Sequence, residues 1–119
     1  AFSEIVREID DLVSKVNPPE AIKVNCDLYN PFEPFELDQD EKLITCLRDA
    51  HQDITNAVLP FGGTVMGGEG SLFINKANVP TVYYGLNGKT IHSDTEYVTV
   101  DDLLRTIKVL IKTAISYLS

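Results

Sequence analysis

Three stretches of the chain carry apolar residues at the three- to four-residue spacing of an amphipathic helix. Each stretch opens on a residue whose side-chain oxygen can cap a helix, namely Ser3, Asp38 or Thr99. Asp38 and Glu41 also have the spacing of a capping box. These patterns predict helices over residues 3–16, 38–58 and 99–118. A shorter helical run is predicted over residues 71–76.

Two other stretches have the pattern of β-strands. Residues 22–28 alternate apolar and polar side chains, which is typical of a strand with one buried face and favours an antiparallel sheet. Residues 79–84, V-P-T-V-Y-Y, are β-branched and aromatic and end at Gly85, which predicts a buried strand. We therefore predict an α/β fold of mixed α+β character, in which the last helix lies against a sheet.

Residues 30–37, N-P-F-E-P-F-E-L, contain two prolines, which favours an extended crossing segment over a central strand. A proline-rich recognition peptide is the alternative, but the segment has no repeated P-x-x-P spacing.

Composition limits the classes of function. A chain of 119 residues with 44% hydrophobic and 24% charged residues fits one globular domain. No apolar run approaches the roughly 20 residues of a membrane helix, and no signal pattern opens the chain, so we expect a soluble, cytoplasmic protein. The net charge of −8 argues against nucleic acid or an anionic membrane as a partner. The chain opens on Ala1 without an initiator methionine, as though cut from something longer.

The two cysteines, Cys26 and Cys46, lie far apart with no C-x-x-C spacing. This pattern indicates buried thiols in a reducing compartment and argues against a metal clip or a disulfide framework.

Residues 60–70, P-F-G-G-T-V-M-G-G-E-G, hold five of the seven glycines. Glycine at this density lets the backbone approach a ligand or adopt positive φ angles. No phosphate-loop motif is present. The segment is predicted to be a turn that carries the acid Glu69 in front of a short helix, where backbone N–H groups can bind a carboxylate or an oxyanion.

His92 lies in a loop, residues 85–97, between the second predicted strand and the last helix. Asp94 and Glu96 follow it closely, and a histidine among carboxylates is typical of a metal site. The same pattern also occurs around a surface histidine and around one that only hydrogen-bonds within a turn.

The other histidine, His51, lies on the second predicted helix beside Asp49 and Asp53. Side chains one and two residues apart on a helix point in different directions, so we expect a solvated His51 without a catalytic role.

The order of pieces in the second half resembles that of a known family. The segments G-G-E-G-S-L-F, V-P-T-V-Y-Y-G and I-H-x-x-x-E-Y-V, followed by a long closing helix, resemble the end of the acetylornithine deacetylase and succinyl-diaminopimelate desuccinylase family. These co-catalytic zinc amidohydrolases include aminoacylases and glutamate carboxypeptidases. The resemblance covers residues 62–119 well, and residues 1–58 follow the expected order more loosely.

The resemblance implies an architecture and a reaction. Residues 1–29 would be the end of an α+β lid that forms the dimer contact, and residues 30–119 the C-terminal part of a three-layer zinc-peptidase-like catalytic domain. An intact relative is a homodimer that holds two zinc or cobalt ions and cleaves the amide bond of N-acyl amino acids or small peptides. In it, water activated between the metals is deprotonated by a glutamate and attacks the amide carbonyl.

The resemblance also implies roles for individual residues. His92 matches the last metal-ligating histidine of the family, and Glu96 matches the acid behind it, which supports the ligand or the local structure. The implied substrate-pocket residues are Gly67, Gly68, Glu69 and Asn87, the last at the start of a stretch that ends at Lys89.

The chain departs from the family pattern in two ways. Its turn reads G-L-N-G where relatives have a Gly-Pro-Gly-like sequence, and it lacks the H-x-D pair, the bridging aspartate and the adjacent Glu-Glu. With His92 as its one ligand, the chain has no catalytic residue of its own, and we expect it to hydrolyse nothing alone. Two alternatives remain: a non-catalytic α/β binding or dimerisation module, and a small soluble domain in which His92 caps a turn.

Overall fold

The computed structural model describes residues 2–16, 19, 22–27, 29, 33–64, 68–86 and 90–119. The chain divides into two compact units, Ala1–Glu33 and Pro34–Ser119.

Helix α1, Phe2–Val16, makes up most of the first unit, which confirms the helix predicted over residues 3–16. Its apolar stripe is formed but not covered, because none of the residues of α1 is buried. Ile5, Leu12 and Val16 are all more than half exposed. Helical periodicity alone therefore defines α1, and packing within this unit contributes little to it.

The strand predicted over residues 22–28 is wrong for residues 22–27, which have no regular secondary structure, and Leu28 lies outside the described residues. The Ile22 N–H donates to the Pro19 carbonyl at 2.7 Å, which closes a turn. Alternating side chains predict two faces, but a strand also needs a neighbouring backbone to take its hydrogen bonds. Cys26, in this segment, and Cys46 are free, half-buried thiols.

The second unit contains α2 (Lys42–Thr55), α3 (Gly70–Ala77) and α4 (Val100–Leu118). Helix α2 begins later than predicted, because Asp38 makes a turn in front of it. The Asp38 side chain accepts from the Asp40 N–H at 3.0 Å, and its carbonyl accepts from the Glu41 N–H at 3.1 Å. The predicted capping box is absent, since the N-cap of α2 is Glu41, which makes no side-chain capping bond.

Helices α3 and α4 confirm their predictions. Asn78 adopts the left-handed conformation that ends α3, at a φ of 54°, and its N–H donates to the Ile74 carbonyl. At the start of α4, the Thr99 hydroxyl accepts from the Asp102 N–H at 3.1 Å, so Thr99 is the N-cap expected from the sequence.

The α/β prediction is wrong, and with it the three-layer architecture. Residues 79–84 have no regular secondary structure, and the described parts of the chain contain four helices and no strand. A β-branched, aromatic run fits a pleated surface, but the sheet depends on partners distant in sequence. In the structure, Val82 and Tyr84 pack as half-buried side chains against the helical core.

That core lies between α2 and α4. Its buried apolar side chains are Ile44, Leu47 and Ala50 from α2 and Val109 from α4. The buried Thr113 satisfies its hydroxyl by donating to the Val109 carbonyl at 2.8 Å. Helix α4 therefore packs against a helix, where the sequence predicted a sheet.

Apart from Val109, the large apolar side chains of α4 lie on a different side from this contact. They are exposed by amounts between 42% for Leu103 and 82% for Leu118. They are Val100, Leu103, Leu104, Ile107, Leu110, Ile111, Ile115 and Leu118. Helix α4 thus packs on its more polar side and presents a long apolar face, which we call the α4 face. Within the described residues, no helix has the length and apolar character needed to cross a membrane.

Candidate functional site

The loop that carries His92 is closed by one threonine. The Thr90 hydroxyl donates to the Tyr97 carbonyl at 3.1 Å and accepts from the Tyr97 N–H at 3.2 Å. The Thr90 carbonyl accepts from the Ser93 N–H and from the Ser93 hydroxyl, at 3.2 and 2.8 Å. Residues 90–97 therefore form a hydrogen-bonded unit in which the side chains from Ile91 onward are exposed.

Within this loop His92 has a left-handed backbone, with a φ of 61°. A residue with a Cβ atom pays roughly 1–2 kcal/mol for this conformation. The loop holds it with a hydrogen bond from the His92 N–H to a carboxylate oxygen of Glu96 at 3.3 Å. Glu96 therefore supports the backbone of His92 and leaves the exposed imidazole accessible.

The described residues do not by themselves fit a metal ion. No three His, Cys, Asp or Glu side chains among them gather closely enough to hold one. His92, Asp94 and Glu96 consequently do not form a three-ligand site, although they lie within five residues of each other. Among the described residues, this loop therefore offers a metal fewer than three clustered ligands.

The glycine-rich turn is held by a tyrosine of the segment that leads to the His92 loop. The Tyr83 hydroxyl accepts from the Gly70 N–H, the first of α3, at 3.0 Å. Glu69 occupies the N-cap position but makes no capping bond with its exposed side chain. The structure thus brings Gly68, Glu69 and Tyr83 together, while Gly67 and the stretch from Asn87 to Lys89 lie outside the described residues.

His51 is not the solvated residue that the sequence predicted. It is half-buried, its Nδ1 atom lies 2.9 Å from the Tyr84 hydroxyl, and the two rings meet edge to face at 5.9 Å. Burial raises the pKa of Tyr84, and the Arg105 guanidinium lowers it by a smaller amount. Local sequence gave no sign of this pair, because its members are 33 residues apart.

An apolar pocket of about 90 Å³ lies beside this pair, between α2 and the segments 59–62 and 82–84. Ile44, Leu47 and Val82 form part of its walls. Arg48 and Phe61 also line it, and the Arg48 guanidinium lies 5.8 Å from the centre of the Phe61 ring. The pocket has room for a few water molecules or a small apolar group.

Comparison with known proteins identifies the class of protein to which the chain belongs. The sequence model of peptidase family M20/M25/M40 matches residues 3–116. A match over nearly the whole chain places it among hydrolases of metallopeptidase type. The chain belongs to peptidase family M20/M25/M40. No curated protein and no solved structure matches the chain.

This membership confirms the expected resemblance at the level of the family. It does not distinguish a deacetylase or a desuccinylase from other members, and it assigns no role to His92, Glu69 or Glu96.

Proposed function

We propose that the chain is one portion of a metal-dependent hydrolase that cleaves the amide bond of N-acyl amino acids or small peptides. The observation that carries the proposal is the family match over residues 3–116. The His92 loop supports it, because a strained backbone held by its surroundings is typical of functional positions.

In this proposal His92 is a ligand to one of two zinc or cobalt ions in the complete enzyme. A neutral imidazole on an exposed, hydrogen-bonded loop is a suitable zinc ligand. The other donors and the general base come from further polypeptide, because the H-x-D pair, the bridging aspartate and the adjacent Glu-Glu of the family pattern are absent from this sequence. The described residues also contain no three-ligand group. In this proposal the chain alone carries out no catalytic step.

The exposed apolar faces support the view that further polypeptide packs on this chain. The α4 face presents eight large apolar residues, and a soluble protein rarely leaves such a patch uncovered. We also propose that the complete enzyme is a homodimer through the part of the chain that contains α1, where the apolar stripe is exposed.

The proposal predicts that the isolated chain is inactive. The purified 119-residue chain would be incubated with zinc or cobalt and with a panel of N-acetyl amino acids, N-succinyl amino acids and dipeptides. We expect no amide hydrolysis above the rate without protein. Robust hydrolysis that a chelator abolishes would contradict the division of the metal site that we propose.

A zinc titration of the same chain tests His92 separately. Weak binding should be lost in His92→Ala and retained in His51→Ala, which removes the other histidine of the chain. Equal loss in both variants would show that zinc binds nonspecifically to histidine.

The second candidate function is a non-catalytic binding or dimerisation module. The exposed α4 face favours it, because such a face can serve an interface without any chemistry. Hydrolysis by the complete protein decides between the two candidates.

A further inference from the structure

Tyr83, from a distant part of the chain, supplies a side-chain acceptor to the first residue of α3. Its hydroxyl accepts the Gly70 N–H at 3.0 Å, while the N-cap residue Glu69 provides no side-chain bond. The first N–H groups of a helix have no partner within the helix, so an acceptor from elsewhere in the chain stabilises them. Tyr83 thus fixes a helix that lies 13 residues before it.

The two glycines around Glu69 leave room for this hydroxyl. A Cβ atom added to Gly68 would overlap the Tyr83 hydroxyl oxygen. One added to Gly70 would lie 2.8 Å from the same oxygen and 3.1 Å from the ring of Phe35. Phe35 in turn contacts the Tyr83 ring, with the ring centres 6.0 Å apart.

Backbone freedom is not the reason for glycine at these positions. No described glycine has a positive φ, so the conformation of Gly68 and Gly70 suits other residues. Glycines elsewhere offer a contrast, because Gly62, Gly63 and Gly85 have no atom within 4 Å of an added Cβ. Glycine at 68 and 70 leaves space for the Tyr83 hydroxyl, and a side chain at either position would have to displace it.

We propose that Tyr83 is the positioning residue of the glycine-rich turn: its hydroxyl sets the backbone of Gly68–Gly70 and thereby the place of the Glu69 carboxylate. The part that concerns substrate rests on the function proposed above and on the family resemblance, which implies that Gly68 and Glu69 lie in the substrate pocket. Tyr83 acts through the turn and takes no part in the reaction. Its loss should weaken substrate binding more than it slows the chemical step.

The first test measures the turn in the 119-residue chain by amide hydrogen exchange, with Tyr83→Phe against Tyr84→Phe. Both variants remove one phenol oxygen, but Tyr84 bonds to His51 and not to the turn. Loss of one hydrogen bond should speed exchange of the Gly70 amide about fivefold in Tyr83→Phe. The same amide should be unaffected in Tyr84→Phe. Equal Gly70 exchange in wild type and Tyr83→Phe would overturn the proposal.

The second test uses the glycines. Gly68→Ala should lower the urea midpoint of unfolding, and Gly85→Ala, in open space, should not. Combining Gly68→Ala with Tyr83→Leu removes the overlapping hydroxyl, so the double variant should lose less than the sum of the two single losses. Strict additivity would contradict the steric part of the proposal.

The third test uses the complete hydrolase. Tyr83→Phe should raise KM several-fold with kcat nearly unchanged, and Tyr84→Phe should change neither. An unchanged KM in Tyr83→Phe would overturn the link between the turn and the substrate. Absence of amide hydrolysis by the wild-type complete protein would instead overturn the proposed function, while the exchange and stability tests would still decide the structural role of Tyr83.

Discussion

At the scale of single residues, backbone conformation separates His92 from the other unusual positions. Asn56, Asn78 and His92 are the non-glycine residues with positive φ in the described parts of the chain. The two asparagines end helices, where asparagine commonly takes this conformation. His92 ends no helix, and its strain is borne by the hydrogen bonds of the loop that presents its imidazole.

The strain at His92 predicts an unusual order of stability. His92→Gly should be more stable than His92→Ala by about 1 kcal/mol, because alanine keeps the unfavourable Cβ contact and glycine lacks it. Urea unfolding followed by circular dichroism measures the difference. Ser93, the next residue, serves as the control, because its φ is not positive. There Ser93→Gly should be less stable than Ser93→Ala. The same order at both positions would contradict a strained His92.

The half-buried phenol of Tyr84 predicts a loss of stability at high pH. Its pKa is raised in the folded protein from the ordinary value of 10.0, so the folded state holds the phenol proton more tightly than the unfolded state does. The contribution is fully present below pH 10.0 and is lost as the pH rises through the higher folded pKa. Wild type should therefore lose more stability than Tyr84→Phe above that pH. Parallel curves of stability against pH for the two proteins would contradict a raised pKa of Tyr84.

At the scale of elements, the Thr99 cap of α4 makes its own contribution to the stability of the fold, which a single substitution can measure. Thr99→Ala should cost about 1 kcal/mol, because it leaves the Asp102 N–H without its acceptor. Thr99→Ser should retain most of the stability, and Thr95→Ala, outside the helix, should be nearly neutral. Thermal or urea unfolding gives the values. A Thr99→Ala variant as stable as wild type would show that α4 does not depend on this cap.

The helices were predictable because their signals are local. Periodicity and a capping threonine defined α4. Periodicity defined α1, whereas Ser3, the cap predicted for it, lies inside the helix, which begins at Phe2. The predicted beginning of α2 was wrong because Asp38 can either cap a helix or close a turn. The neighbouring residues do not show which of these two roles it takes. Asparagine at positions 56 and 78 marks the helix ends that the structure shows.

Contacts between distant residues were not predictable in this way. The strand patterns show which side chains share a face, but they do not identify a neighbouring strand. Val82 and Tyr84 instead pack against the helical core. The contacts of His51 with Tyr84, and of Gly70 with Tyr83, join residues 33 and 13 positions apart. At the candidate site, the resemblance to a family predicted roles for His92 and Glu69. The hydrogen bonds of Thr90 and the left-handed backbone of His92 could be seen only in the structure.

At the scale of the whole molecule, the chain buries little of its apolar surface. In the described residues, the buried apolar side chains are the four between α2 and α4, whereas the α4 face alone exposes eight. Rim contacts assist this small core, with Lys112 paired to Asp53 and the Lys42 ammonium 5.4 Å from the centre of the Tyr117 ring. The isolated chain should therefore be only marginally stable.

The exposed α4 face predicts association of the isolated chain. Sedimentation velocity over a dilution series should show a mass that rises with concentration. Ile111→Lys, in the middle of the face, should shift the chain toward monomer, and Ser116→Lys, on the same helix but off the apolar row, should not. A wild-type chain that stays monomeric at every concentration would show that this face does not drive association.

The central claim is that His92 is a metal ligand of the complete hydrolase, and the metal content of that enzyme tests it most directly. Wild type and His51→Asn, purified with zinc and dialysed, should each retain about two metal ions per chain, the number proposed for co-catalytic sites of this type. His92→Asn should retain fewer and lose amide hydrolysis. Equal metal content and equal hydrolysis in His92→Asn and wild type would contradict the account.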